Sequence, residues 1–458
     1  MSRTGVAVAV AVLVAAAVAA SRFRHPLVLE PPAVTKPSLV LVTIDTERAD
    51  HTSTYGYAMP TTPHLDALAA QGTVFTNAYA AIPSTAPSHA SLFTSRYPSE
   101  HGVLRNGDVL DATTLTEILA GAGYATAGFV SAYPLARKFG YARGFSVYDD
   151  AFTPREASIV ISEWEGQHVD RPAFDRRADA TTARALGWLS ATPRDRPLFL
   201  WVHYYDPHQP YDPPAPFRDA FAPAGGSGRS RLERNIVAYD GEIRFADEAL
   251  GRLIHAVDER VGVDRTIVVV ASDHGEGLMQ HGWMGHGVDL YEELVRAVLV
   301  IRAPGMSAGR RCAAPVGLID VAPTVLALLG LDGEALRPRG VDLGPALRGG
   351  AGPAPDRAIF FQRRVYDSRR DDVPVRGDMR AVRIGAWKYI EGSMMSPELF
   401  DLSADPAELR NVWDQERSRG ADLAGVLAAW RRDAGDATAV RPLSAEEARR
   451  MRALGYVE

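Results

Sequence analysis

Carboxylates and imidazoles cluster at three points of this chain. Asp45 follows the apolar run Ser38–Ile44, His203, Asp206 and His208 accompany the run Leu198–Tyr204, and Asp273-His274 follows Thr266–Ser272. Each run is continuous and rich in β-branched residues, as expected of a strand buried on both faces, so each cluster is expected at the carboxyl end of a strand. Open α/β sheets hold their sites there. His281 and His286 come shortly after Asp273, so five of the twelve histidines lie in two short stretches. A carboxylate beside an imidazole suits a divalent ion. Asp45, Asp273 and His274 would make one site, and Asp206, His208 and His286 would make a second or hold the substrate. The bland alternative for Asp273-His274 alone is a capping aspartate beside an exposed histidine.

The segment Ser84-Thr85-Ala86-Pro87-Ser88-His89 supplies a nucleophile. Pro87 favours a helix start, so Thr85 is expected just before a helix N-terminus, where free amides and the dipole favour an anion. A threonine hydroxyl is a poor nucleophile unless a base or metal activates it. Read alone, the segment is a proline-initiated helix with polar caps.

The elements that must position these residues alternate. Helices are expected from Thr62-Pro63 to about Gln71, over Thr114–Ala122 and from about Leu232 to Val257, and strands over Thr73–Ala78 and Ala125–Val130. This pattern predicts an α/β fold with a mostly parallel central sheet covered by helices on both faces. Residues 150–178 and 212–230 read as loops. Beyond about Pro353 the pattern changes to short strands (Ala358–Phe361, Met379–Ile384, Trp387–Ile390, Glu398–Leu402) and a helix from about Asp422 to Arg432. The expected division is a catalytic domain over 38–352 and a smaller α+β subdomain over 353–458.

With 458 residues, 46% hydrophobic and 23% charged, the chain can bury a substantial core. A net charge of −6 argues against a nucleic-acid partner. Only Lys36, Lys138 and Lys388 are lysines, which leaves few for lysine chemistry. The single cysteine, Cys312, excludes an intrachain disulfide and a zinc-thiolate cluster. Arg3, the apolar run from Gly5 to Ala20 and the basic residues that end it are expected to form a secretory signal or an uncleaved membrane anchor over 1–24. Residues 25–37, with four prolines, read as a linker. An exported protein, periplasmic or extracellular, follows.

Several blocks, taken in order, resemble the sulfatases of the alkaline phosphatase superfamily. They are Val42 to His51 with Tyr55-Gly56-Tyr57 and Thr61 to Asp66, then Thr85 to Thr94 with Tyr97 to Val103, His203 to Tyr211, Ser272 to Glu276, Gly285-His286-Gly287 and Leu290 to Glu293. Trp387-Lys388-Tyr389, Glu398 to Leu402, Asp405-Pro406 and Arg410-Asn411 close the match. The resemblance implies an alkaline phosphatase-like fold and an ester hydrolase using one or two divalent ions (Zn, Mn, Mg or Ca). It implies Asp45, Asp273, His274 and Thr85 around the metal, with Thr85 at the position of the catalytic residue. Ser88, His89 and Asn106 would hold the transferred group, and His208 or His203 would protonate the leaving alcohol.

Three departures matter. Sulfatases oxidise a Cys or Ser at the position of Thr85 to formylglycine, and threonine cannot become that aldehyde. His89 replaces the motif's arginine, and Ser131 stands where a sulfate-gripping lysine usually does, with His286 a substitute for a sulfate-binding lysine. A threonine ester is cleared more readily from phosphorus than from sulfur, so phosphate or phosphonate esters are expected over sulfates. The alternatives are an anchored transferase moving a phospho-head group onto an envelope lipid or glycan, and a binding protein that kept the fold.

Overall fold

In the computed structural model the described residues are 36–153, 156–157, 163–164, 167–168, 175–222, 229–366 and 377–435. The expected signal or anchor, most of the linker, and the Trp164 side chain lie outside them. Eight strands form the main sheet: β1 Ser38–Ile44, β2 Thr73–Phe75, β3 Ala125–Phe129, β4 Val147–Asp149, β5 Leu198–Tyr204, β6 Thr266–Ser272, β7 Leu299–Arg302 and β8 Arg310–Cys312. Their order is β8-β2-β7-β6-β1-β5-β3-β4. All neighbours run parallel except β7, antiparallel to both β6 and β2. The sheet is therefore mostly parallel, as expected.

Alternation along the strands sorts two cores. Leu39, Leu41, Phe199, Trp201, Val269 and Ala271 face one side. There they pack under helices α1 to α3, which are Thr85–Thr94, Leu115–Gly121 and Val321–Leu328. Val40, Val42, Ile44, Leu200, Val202, Val268 and Val270 face the other side. They meet three further helices, Pro63–Ala69, Ala178–Ala191 and the long Arg231–Arg260. The long helix starts at a capping box between Ser230 and Glu233, in which each side chain satisfies a backbone amide of the other.

Three sequence expectations shift. The strand expected over Thr73–Ala78 ends at Phe75, and a separate short strand follows at Ala78–Tyr79. Ala78–Tyr79 then joins Arg296–Ala297 and Val316–Gly317 in a small separate sheet. The strand β7 was not foreseen, and the last helix starts at Arg417 and not near Asp422. Near the C-terminus, β9 Ile359–Tyr366, β10 Gly377–Ile384, β11 Trp387–Gly392 and β12 Glu398–Asp401 form an antiparallel sheet. Phe361, Ala381, Ile390 and Phe400 on one face pack against Tyr79, Leu290 and Val295. Val382, Tyr389 and Leu399 on the other meet α4, Arg417–Ala434, through Leu423 and Leu427. Among the described residues no helix is long and apolar enough to cross a membrane.

Candidate active site at the strand ends

Strand register builds the site. Ile44 pairs with Tyr204 on one side and Ser272 on the other, so the next residues, Asp45, Tyr205 and Asp273, emerge side by side. The ladder continues one step further: Asp45 N–H donates to the Tyr204 carbonyl at 2.8 Å, and Asp273 N–H to the Ile44 carbonyl at 3.2 Å. Thr46 then turns the chain with φ of 53°, a left-handed conformation costly for a β-branched residue. Its amide donates to Asp273 Oδ1 at 3.0 Å and its carbonyl accepts from Tyr239 Oη at 2.6 Å. This strained turn ties the first carboxylate to the second.

Asp45, Asp273 and His274 are buried, and their ligand atoms lie within 4.8 Å of one another. His274 Nδ1–H donates to the Gly275 carbonyl at 2.8 Å. That leaves the Nε2 lone pair aimed inward, 3.6 Å from Asp273 Oδ2 and 4.0 Å from Asp45 Oδ1. Asp45 Oδ1, Asp273 Oδ2 and His274 Nε2 have no hydrogen-bond partner. Buried polar atoms without partners are costly, and three electron-rich ones facing a common point repel each other unless a cation sits between them. Burial, then the charges of Asp273 and Glu276, hold the Asp45 carboxyl well above the usual range, which expresses the same strain. The donor set fits a divalent ion.

Thr85 completes the group. It is the first residue of α1, not the residue before it, and its hydroxyl donates to Asp45 Oδ2 at 3.4 Å. The helix start differs from expectation in a second way. Ala86 N–H is taken by Asn106 Oδ1 at 2.8 Å, Pro87 has no N–H, and Ser88 N–H bonds the Ser84 carbonyl at 2.9 Å. The amides near Ser88 are thus already used and do not form an open anion cradle. Ser88 Oγ donates to the Asp273 carbonyl at 2.6 Å, which makes it a brace for the loop that carries Asp273.

His89 is also a brace. Trp201 Nε1–H donates to Thr43 Oγ1 at 3.0 Å, Thr43 lies 2.9 Å from His89 Nε2, and His89 Nδ1 lies 2.8 Å from the Thr85 carbonyl. Read in one direction, this chain leaves His89 neutral with its hydrogen on Nδ1, and burial lowers its pKa accordingly. Both ring nitrogens are engaged, so His89 sets the position of Thr85 and does not grip substrate. Ser131, in place of the expected lysine, donates its hydroxyl to the His203 carbonyl.

His203 Nε2 lies 3.5 Å from Asp45 Oδ2, and burial, then His89, pushes its pKa well below the ordinary value. His208 donates Nδ1–H to the Gln209 carbonyl at 2.5 Å, and burial with neighbouring His286 lowers its pKa to about 3. A neutral ring with its hydrogen on Nδ1 has none on Nε2 to give, which disfavours the acid role expected of His208. His286 differs: its Nδ1 lies 3.1 Å from Glu276 Oε1, and its ring is 4.6 Å from His274 and 4.9 Å from His208. Glu276 is fully buried, and burial raises its pKa to about 7. The sequence reading quoted Glu276 within its motif but gave it no role. Its signal was the carboxylate three residues after Asp273.

Asp206, His208 and His286, the expected second site, do not appear in a three-ligand group among the described residues, and both such groups contain Asp273. Asp206 Oδ1 instead caps the helix at Ala178 N–H at 3.1 Å. Burial raises its pKa to about 7, and burial, then Asp206, raises that of Glu242. Nearby, Arg176 is buried against Asp149, Phe217 packs on Phe245, and Arg218 pairs with Asp212 at the surface.

A mostly parallel α/β sheet that gathers two carboxylates, an imidazole and a buried helix-start hydroxyl at its strand ends suits metal-assisted ester hydrolysis. The comparisons give the family. The sulfatase family model matches residues 37–331, and the chain belongs to that family. It is 30% identical over 479 residues to the multifunctional alkaline phosphatase superfamily protein PehA of Trinickia caryophylli, covering 83% of this chain and 91% of that one. It is 27% identical to a choline-sulfatase of Rhizobium meliloti (strain 1021), covering 81% and 80%. The phosphonate monoester hydrolase of Agrobacterium radiobacter shares the fold with a TM-score of 0.72 at 23% identity, covering 90% of this chain and 99% of that one.

Proposed function

We propose that this hydrolase cleaves phosphate or phosphonate esters through a covalent bond to Thr85. The observation that carries the reading is the Thr85 hydroxyl, buried in the ligand group and hydrogen-bonded to Asp45. Its β-methyl excludes oxidation to the aldehyde that sulfate-ester members use, so this position retains a hydroxyl. Relatives with sulfatase and alkaline phosphatase superfamily names match at similar identity, so the fold leaves the choice open, and the threonine at 85 supports phosphorus esters.

A divalent ion held by Asp45, Asp273 and His274 would supply Lewis-acid stabilisation of charge on the transferred group and on the nucleophilic oxygen. The chain's own residues do the rest. Asp45 Oδ2 accepts the Thr85 hydrogen and orients the hydroxyl. His89 and Ser88 fix the helix start and the Asp273 loop. Thr85 Oγ1 attacks phosphorus in line as the bond to the leaving oxygen breaks. His286, backed by Glu276, gives the leaving alcohol its proton. Water then attacks phosphorus and gives a proton to His286, while the Thr85 oxygen leaves with the hydrogen that Asp45 held, which restores both groups. The basic, apolar N-terminus supports an exported enzyme, tested by fractionation of cells producing the full chain.

The test is turnover of aryl phosphate, phosphate diester, phosphonate and sulfate by the metal-loaded protein and by Thr85→Ala. Phosphorus esters turned over preferentially, with loss in Thr85→Ala, support the reading. Preferred sulfate turnover that survives Thr85→Ala overturns it.

A further inference from the structure

Two buried carboxylates outside the ion-ligand group are left half-bonded. Asp206, just past β5, is 3% exposed, and Glu242, on the long helix Arg231–Arg260, is 1% exposed. Each gives one oxygen to a backbone amide. Asp206 Oδ1 accepts from Ala178 N–H at 3.1 Å, and Glu242 Oε1 accepts from Asp212 N–H at 2.8 Å. The other two oxygens, Asp206 Oδ2 and Glu242 Oε2, have no hydrogen-bond partner among the described residues. Neither residue takes part in the reaction proposed for Thr85.

A short circuit joins them. Arg177, the residue before Ala178, reaches the Asp212 carbonyl through both terminal nitrogens at 3.2 Å. Asp212 is the residue whose amide sits on Glu242. The loop lies directly on the helix here, since a side chain at Gly241 would meet the Phe217 carbonyl at 2.6 Å and Pro213 at 3.0 Å. Of the charges around Glu242, Asp206 acts on it most strongly. Two buried carboxylates so placed ionise together only at high cost, and one proton between them turns two unpaired acceptors into a hydrogen bond. Burial acts on both groups in the direction that retains that proton. The other groups facing the pair do not supply it with a counter-charge. Arg177 favours ionisation but is shared with Asp212, and Asp175 and Asp212 oppose it. The Tyr204 hydroxyl is bonded to Thr182, Arg218 pairs with Asp212, and Asp240 on the same helix is taken by His51 at 2.7 Å. A cation is the other conceivable occupant, but neither carboxylate belongs to a three-ligand group among the described residues.

The segment 206–212 between these two anchors carries His208 and Tyr211. The His208 ring lies 4.9 Å from His286, and the Tyr211 ring lies 5.3 Å from Tyr239. Glu276, behind His286, acts on the Tyr211 hydroxyl. The pair therefore holds both ends of the segment that faces His286 and Glu276.

We infer that Asp206 and Glu242 share one proton that latches the segment 206–212 onto the long helix, which makes both of them positioning residues for His208 and Tyr211. As pH rises, solvent base takes the proton, two negative charges face each other, and the segment loosens. The latch needs nothing of the Thr85 reading, and its test reads the segment and not ester turnover.

The experiment follows hydrogen exchange of the metal-loaded full chain over a peptide spanning 204–213, from about pH 6 to about pH 9, corrected for intrinsic base catalysis. Wild type is expected to lose protection at least about tenfold over that range. In Glu242→Gln the side-chain oxygen still accepts from Asp212 and the amide donates to Asp206, so protection is expected to be the same at both ends of the range. Asp206→Asn should do the same from the other side. Infrared difference spectra of wild type against Glu242→Gln should show the carbonyl stretch of a protonated carboxyl at the acid end, gone at the alkaline end. Wild-type protection that does not change with pH overturns the proposal, as does the same loss of protection in wild type and in both amide variants. A response of the peptide to added calcium or chelator that disappears in Glu242→Gln also overturns it, because it assigns the pair to an ion.

Discussion

Two clusters of buried charge lie close together in this molecule, and they are built on opposite rules. Around Lys388 buried carboxylates share a cation. The ammonium, fully buried, reaches Glu408 at 2.9 Å and Glu292 at 3.2 Å. Tyr79 donates to Glu292 at 3.1 Å, and His281 joins Glu293 and the Glu408 carbonyl while stacking on Tyr291 at 3.7 Å. At the strand ends, Asp45 Oδ1, Asp273 Oδ2 and His274 Nε2 face one another with no hydrogen-bond partner. The first cluster is complete and fastens the C-terminal sheet to the segment 281–293 that carries His286. The second is left with unpaired donor atoms, and its donor set fits a cation. Buried polarity with all its partners is architecture, and buried polarity without them is a binding site.

The contrast predicts that substitutions in the two clusters fail differently. Thr85→Ala should lower ester turnover on the order of 10⁴-fold or more. Its melting temperature should stay near that of wild type, because Thr85 forms no part of a paired charge. Equal losses of stability and activity would erase the distinction. Lys388→Met should do the reverse, costing about 3–5 kcal/mol in a denaturant melt because Glu408 and Glu292 are left buried without a counter-charge. Glu408→Gln added to it should recover part of that loss.

Metal sharpens the comparison further. Chelation should destabilise wild type, and an ion at a hundred times its Kd should restore about 2.7 kcal/mol. Asp45→Asn should abolish that shift while leaving the chelated protein no less stable. The pH dependence follows from the same strain. Glu276 is raised to about 7 and Asp45 well above its ordinary value, both chiefly by burial. A carboxyl raised in the folded state favours folding below its unfolded pKa, and that stability is lost as pH rises through the folded value. The chelated protein should therefore lose melting temperature from about pH 4 to about pH 7, and metal should flatten the slope. The smallest effect lies at the surface, where Arg218→Ala, removing the exposed pair with Asp212, should change stability by less than about 0.5 kcal/mol.

The parts of this design that were legible in the sequence are those set by local pattern. The strands β1, β5 and β6 begin and end where their apolar runs do, because all 21 of their residues are buried and any polar interruption would be costly. The placement of Asp45, Asp273 and His274 follows directly. The roles of Ser88 and His89 were not legible. Their partners, Asp273 and Thr43, are 185 and 46 positions away, and a helix-start serine reads as a cap until its partner is known. Asp206 misled for the opposite reason: beside two histidines it looks like a ligand, yet the fold turns one oxygen onto Ala178. The strand β7 was missed because Leu299–Arg302 is only four residues long and enters the sheet antiparallel.

The central claim, that Thr85 receives the transferred group, is tested most directly by acid-quenching the metal-loaded enzyme during turnover of an aryl phosphonate or phosphate and mapping its peptides by mass spectrometry. The account predicts a substoichiometric adduct of one phosphoryl or phosphonyl group on the peptide containing Thr85, absent from Thr85→Ala and chased by excess unlabelled substrate. Turnover at full rate with Thr85 unmodified, in a variant that slows breakdown of the adduct as well as in wild type, would contradict it.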